Sequence, residues 1–324
     1  MSARKGLFNT SAYGGDGWSG RVASHRDEIG SLWAASGIDS EWGRLRSVIV
    51  HRPGAELDVS QEDPDAVQML APVDLAKARA QHDAMVEAYR AEGVTVHQVD
   101  PAETPTPNQM FCADLVFLTP EGAIMARPAS TVRAGEERQV ARRLADIGVP
   151  IVRTLRGTAT FEGADAMWLD PGTVMVGKGL RTNAEAVRQI ADALHEMGVE
   201  TLDADLPFGT MHFMGLLRIV DKDLAVCWWR RTPFAAVRAL QERGCDIVWL
   251  PEGDDLDINR GFNFVTLGPR KVLMVADYPA VQETLEAAGI ECVTVDCSEL
   301  VKAAGAIGCL TGILERETVG YREP

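Results

Sequence analysis

The 324-residue chain has no C-x-x-C pair, no excess of positive charge, and no apolar run long enough to cross a bilayer, which takes about eighteen residues. Each absence removes a class of function. The N-terminus, MSARKGLFNTSAYGGDGWSG, lacks the apolar core of a secretory signal, so the expectation is a cytoplasmic protein with no membrane partner. Its six cysteines (Cys112, Cys227, Cys245, Cys292, Cys297, Cys309) show no zinc spacing, and in a reducing compartment they read first as small buried apolar residues. With 47 acids against 32 bases and a net charge of −15, there is no cationic surplus for nucleic acid or anionic lipid, and a small cationic ligand fits the balance better.

What is present is a large apolar fraction, 46%, arranged in a repeat. Residues 1–40 carry no strand pattern. They read as an extension that wraps another part of the protein or a second subunit, which leaves a homo-oligomer open. Residues 41–324 read as a single domain. Five helical stretches, VDLAKARAQHDAMVEAYRAEG, AGEERQVARRLADIG, TNAEAVRQIADALHEMG, TPFAAVRALQERG and YPAVQETLEAAG, each end at a glycine suited to a helix C-cap. One or two short β-rich runs precede each helix and one follows, among them LVFLT, AIMAR and PIVRTL around the second. The unit is therefore ββαβ, with a period of roughly fifty residues. Such units protect their edges by closing around an axis, so the expected fold is a five-bladed pseudo-symmetric α/β propeller. A doubly wound sheet is the alternative, but its single-strand β-α alternation fits the paired strands less well.

Near the start of successive units, polar residues interrupt apolar runs: Asp114, Glu162 with Asp165, His212, Asn263, and Cys309 after the fifth unit. In a closed ring equivalent positions converge on the axis. Alone, His212 between Met211 and Phe213 reads as a hydrogen-bonded core histidine and Cys309 as filler. Together, a thiol, an imidazole and carboxylates make up a nucleophilic site for a cation. An ionised Asp114 in an apolar run needs either a structural Arg or Lys or a cationic ligand.

At these residues the chain resembles the guanidino-group-modifying superfamily of arginine deiminases, dimethylarginine dimethylaminohydrolases and amidinotransferases, which has a five-bladed propeller fold. The resemblance runs over residues 41 to 321 through EWGRLRSVIVHRPGAEL, PNQMFCAD, MARPASTVRAGEER, FEGAD, VGKGLRTNAEA, MHFMG, FNFVTLGPRKVLM and SELVKAAGAIGCLTG. It implies that Cys309 attacks the guanidinium carbon, that His212 protonates the departing amine and then activates water, and that Glu162 orients the imidazole or contacts the guanidinium. It implies Asp114 as the guanidinium-binding carboxylate, with Asp165 of the FEGAD motif also on the substrate side. Arg133 and Arg181 match holders of a substrate α-carboxylate, and Asn108 matches a contact to the substrate's backbone end. No metal or organic cofactor is implied.

Two departures bear on the substrate. Met214 stands where deiminases and amidinotransferases have a second carboxylate, and Ala113 replaces a charged residue before Asp114. Both remove charge from the guanidinium end and add apolar surface, as expected for an N-substituted guanidine. Gly163-Ala164 replaces a glycine pair. The expected activity is hydrolysis of a guanidino C–N bond. The alternatives are an amidinotransferase, which Met214 disfavours, and a propeller that only binds a cationic amino acid. GDDLDINRG (253–261) lacks the calcium-loop glycine and bidentate acid and reads as a solvated loop near the pocket mouth. WWRR (228–231) reads as a subunit contact or as a strand end carrying two cations to solvent.

Overall fold

The computed structural model describes residues 6–253 and 261–321, so most of the GDDLDINRG segment lies outside the described residues. The glycine-stopped helices form as α1 Leu75–Ala91, α2 Glu136–Asp146, α3 Ala184–Glu196, α4 Phe234–Glu242 and α5 Pro279–Ala287. Just beyond their ends Gly93, Gly148, Gly198, Gly244 and Gly289 take φ of 78°, 80°, 71°, 71° and 79°, the left-handed conformation that reverses the chain toward the next strand.

Among the described residues fifteen strands make five three-stranded sheets with one pattern: the second strand pairs antiparallel to the first and parallel to the third. Blade two holds β3 Val116–Thr119, β4 Gly122–Met125 and β5 Ile151–Thr154. Blade three holds β6 Ala166–Asp170, β7 Thr173–Lys178 and β8 Glu200–Asp205. Blade four holds β9 Leu217–Asp221, β10 Leu224–Trp228 and β11 Asp246–Leu250, and blade five β12 Val265–Gly268, β13 Lys271–Val275 and β14 Glu291–Val295.

Blade one departs from the ββαβ expectation. Only β1 Leu45–Val50 and β2 Thr95–Gln98 come from the first unit, and its inner strand is β15 Gly312–Arg316 from the far end of the chain, pairing Ile49 with Gly312 and Leu45 with Arg316. This exchange joins the two ends of the propeller. The ring closes through contacts of β15 with β3, β1 with β12, and β12 with β9, and through touching turns before β3, β6 and β9.

Middle strands such as β4 and β10 are buried along their whole length, whereas the third strands are half exposed and carry charges, which protects the outer edges. Residues 25–40 pack on the ring. His25 and Arg26 bond to the carbonyls of Glu121 and Pro120, Gly37 bridges to β15, and Ile38 joins the core. Among the described residues no helix is long and apolar enough to cross a membrane.

Candidate active site

The residues that interrupt the apolar runs all sit at the same place in their blades, on the turn entering the inner strand. Asp114 ends a 3-10 turn (Cys112–Asp114) two residues before β3, Glu162 caps the turn Gly163–Asp165 before β6, and His212 caps Phe213–Gly215 before β9. Asn263 precedes β12, and Cys309 lies in a single helical turn, α6 Ile307–Leu310, before β15. Ring closure then brings Asp114, His212 and Cys309 to one cavity, which Asn108, Arg133, Arg181 and Gln68 also border.

Close packing of the turns sets the geometry. A Cβ on Gly163 would fall 2.3 Å from the Val116 carbonyl oxygen and 2.5 Å from that of Ala113, so only glycine lets the Glu162 turn press onto the Asp114 turn. Glu162 Oε2 lies 2.6 Å from His212 Nε2, and Asp114 Oδ1 lies 3.8 Å from His212 Nδ1. Burial pulls the imidazole toward neutrality, but Asp114 and Glu162 outweigh it and raise its pKa to about 9. Burial favours the neutral acid at Glu162, yet the hydrogen bond from His212 and the nearby arginines bring that carboxyl down to about 2. The two shifts agree on an imidazolium–carboxylate pair at neutral pH.

Cys309 is partly buried, and Asn263 Oδ1 sits 3.1 Å from its Sγ and 3.2 Å from its backbone nitrogen. Burial, then the Asp114 anion, push the thiol up to about 11, with Arg218 and the Asn263 contact acting against them. The empty site therefore holds a thiol beside an imidazolium.

Arg133 borders the cavity, and its guanidinium is buried against three protein carboxylates, Asp114 at 2.7 Å, Glu136 at 2.8 Å and Glu162 at 3.2 Å. These pairs offset the cost of burying the charges. Asp165 is not among the residues that border the cavity. It is fully buried, accepts from Thr182 Oγ1 at 2.6 Å and from the Phe213 N–H at 2.8 Å, and so ties the turn after His212 to the residue after Arg181. Burial raises its pKa to about 7.

Arg181 and Asn108 border the pocket. Arg181 is buried with Nη1 3.4 Å from both Glu162 Oε1 and Gln68 Oε1, and Asn108 donates to the Val67 carbonyl at 2.8 Å. Glu136, Gln68 and Arg218 were not singled out from sequence. Glu136 sits in an ordinary helix start, Gln68 takes a left-handed φ of 63° that its side chain does not signal, and Arg218 lies inside an apolar strand run.

Ligand atoms of Asp114, Glu162 and His212 lie within 4.8 Å of one another, close enough to share a metal ion. The Arg133 guanidinium already sits against both carboxylates, so an internal cation fills the electrostatic role a metal would have. One acceptor has no hydrogen-bond partner among the described residues: Asp114 Oδ1 is buried, with His212 Nδ1 3.8 Å away.

The family model of N,N dimethylarginine dimethylhydrolase, eukaryotic, matches residues 65–315. The N(G),N(G)-dimethylarginine dimethylaminohydrolase of Streptomyces coelicolor is 29% identical over 239 residues, 74% of this chain and 86% of that protein. Among solved structures, a dimethylarginine dimethylaminohydrolase variant from Pseudomonas aeruginosa in complex with citrulline superposes with a TM-score of 0.71 at 23% identity, covering 83% of this chain and 99% of that one. The amidinotransferase SxtG from Microseira wollei reaches the same TM-score at 15% identity, covering 89% and 100%. The structural likenesses speak for the fold, a pentein propeller, and the family match over well more than half the sequence speaks for descent: the chain belongs to the dimethylarginine dimethylhydrolase family of guanidino-modifying hydrolases.

Proposed function

We propose that this protein is a cofactor-free cysteine hydrolase that cleaves a C–N bond in the guanidino group of arginine or an N-substituted arginine through a covalent Cys309 intermediate. The observation that carries the reading is the convergence on one cavity of Cys309, the His212 imidazolium and Asp114, whose Oδ1 has no hydrogen-bond partner among the described residues.

A guanidinium entering this cavity donates to Asp114 Oδ1. That pairing cancels the anion that holds the Cys309 thiol up, so the substrate itself promotes formation of the thiolate, the thiol's proton passing to solvent. Sγ attacks the central carbon. His212, kept protonated by Asp114 and Glu162, gives its proton to the departing nitrogen as the C–N bond breaks, leaving an amidino group on sulfur. The neutral imidazole then takes a proton from water, water adds to the same carbon, and the C–S bond breaks to release a ureido product. Glu162 orients His212 throughout, and Asn108 and Arg181 hold the amino-acid end of the substrate. Arg133 acts from behind, fixing Asp114 and Glu162. Residues 41–324 form the catalytic domain, onto which residues 25–40 pack. Six free cysteines suit a reducing cytoplasm.

The test is incubation with arginine, methylated arginines and other guanidino compounds, scored for ureido product and released amine, with mass spectrometry of Cys309. Turnover together with an amidino mass increment on Cys309 supports the reading. No turnover of any compound and no ligand binding by Cys309→Ser overturns it, and product that forms only when an acceptor amine is added points to an amidinotransferase.

A further inference from the structure

Cys309 and His212 border a second cavity, of about 280 Å³, that extends toward blades four and five, away from the carboxylate cluster. The chemistry above makes no use of this space. Part of its wall is apolar, formed by Met211, Met214 and Phe262. Its polar groups include the indole of Trp228 and two guanidiniums as donors, with the acceptor Asn263 Oδ1 turned to Cys309 Sγ at 3.1 Å. Trp228 is 3% exposed, and among the described residues its indole Nε1–H has no hydrogen-bond partner. The ring is held in place, stacked on Phe262 at 5.8 Å and 22° and covered by the Arg231 guanidinium 4.4 Å from its centroid. Arg231 stands at the rim, partly exposed, where Glu252 pairs with it at 3.4 Å. Arg218 also borders the cavity, anchored by donation from Nε to the Phe262 carbonyl at 3.0 Å. Among the described residues that line it there is no Asp or Glu, in a protein of net charge −15.

A buried N–H without a partner is rare because the group has given up water and received nothing in return. Here the ring that carries it lines a space that two guanidiniums also border. That combination suits an anionic acceptor of carboxylate type, joined by a short alkyl arm to the reacting centre. We propose that this chamber is a subsite for an acidic substituent on the guanidino nitrogen that departs, so that the preferred substrates are Nω-carboxyalkyl guanidines. The inference rests on the hydrolase reading above and specifies its leaving group. The alkyl arm lies against Met214 and Phe262 while the carboxylate meets Trp228 Nε1 and Arg218. The bonds that form and break are those already described: the nitrogen leaving with its proton from His212 carries the carboxyalkyl group away as a free amino acid, and water completes the ureido product.

The experiment compares Nω-(2-carboxyethyl)-L-arginine with its neutral isostere Nω-(3-methylbutyl)-L-arginine. Turnover is measured in the unsubstituted enzyme and in Trp228→Phe, which retains a ring against Phe262 but lacks the N–H, and calorimetric binding is measured in Cys309→Ser with and without Trp228→Phe. We expect kcat/KM and affinity to favour the carboxyethyl compound by about tenfold or more, and Trp228→Phe to narrow that ratio by about fivefold, as loss of a hydrogen bond to a charged group does. Thermal melting confirms that the variant folds. Equal treatment of the two compounds, or a ratio that Trp228→Phe leaves unmoved, overturns the subsite while turnover of other guanidines leaves the hydrolase reading standing. Preferential binding of the carboxyethyl compound by Cys309→Ser, with no turnover of any guanidine, upholds the subsite and overturns the hydrolase reading.

Discussion

Replacing Glu162 by glutamine keeps the shape of the site and removes the charge that His212 meets at 2.6 Å, so its effect should depend on pH in a way a packing defect would not. His212 is raised from an ordinary value near 6.5 to about 9, so it contributes stability that is whole below about pH 6.5 and is lost as pH rises through 9. Glu162 is lowered to about 2, so its share is whole above about pH 4.5 and is lost as pH falls through 2. The pair therefore contributes fully between about pH 4.5 and 6.5. A rise from 6.5 to about 9 corresponds to about 3 kcal/mol. Asp114 supplies part of that rise, so Glu162→Gln should forfeit about half, roughly 1–2 kcal/mol more at pH 6 than at pH 10. For a domain of this size that is a difference of about 2–5 °C in the Tm loss. The same change should bring the alkaline limb of the kcat profile down by about one pH unit, because His212 would release its proton earlier. Paired melts at pH 6 and pH 10, with kcat from pH 6 to 10.5, check both effects. Equal Tm losses at the two pH values and an unmoved alkaline limb would refute the imidazolium–carboxylate pair.

Asp114→Asn should act in opposite directions on two readouts. Alkylation of Cys309 by iodoacetamide at pH 8 should rise several-fold, about three to ten times, as the anion that holds the thiol up is lost, while turnover of guanidines falls about a hundredfold; peptide mapping and kcat/KM measure the two. Met214→Asp brings a second carboxylate to the wall beside Cys309 and should shift kcat/KM toward unsubstituted arginine over N-substituted arginines by about one to two powers of ten, with folding checked by melting. In Gly308→Ala the new Cβ would fall 2.3 Å from Arg218 Nη2, and since that is the far end of a flexible side chain, the arginine should swing away with the fold intact. The expected result is a Tm within about 3 °C of the parent and a pH profile of Cys309 alkylation displaced upward, because Arg218 is the cation that counters the rise of the thiol pKa.

Five helices stopped by glycine, the paired strands before them, and the polar residue at each inner-strand entry were all legible in the amino-acid sequence, because helical periodicity, C-cap geometry and interruption of an apolar run are properties of a few consecutive residues. They sufficed for the propeller and for the set Asp114, Glu162, His212 and Cys309. Tertiary structure alone decided the rest. The inner strand of blade one lies more than 260 residues from its partner β1, and no local pattern in GILER names the strand it will join. Arg133 reads from its neighbourhood as a free cation, but ring closure surrounds it with carboxylates 3, 19 and 29 residues away, and burial then leaves it no other partner. Asp165 reads as part of the site because it stands beside Glu162, yet the turn aims the two side chains apart, one toward His212 and the other into the core. Trp228 stands out in the sequence only within WWRR, as a subunit contact or a strand end, and Arg218 gives no local signal. They lie on adjacent strands of one blade, and it is the packing of that blade against Phe262 and Cys309 that encloses a cavity lined by an indole whose N–H has no partner among the described residues.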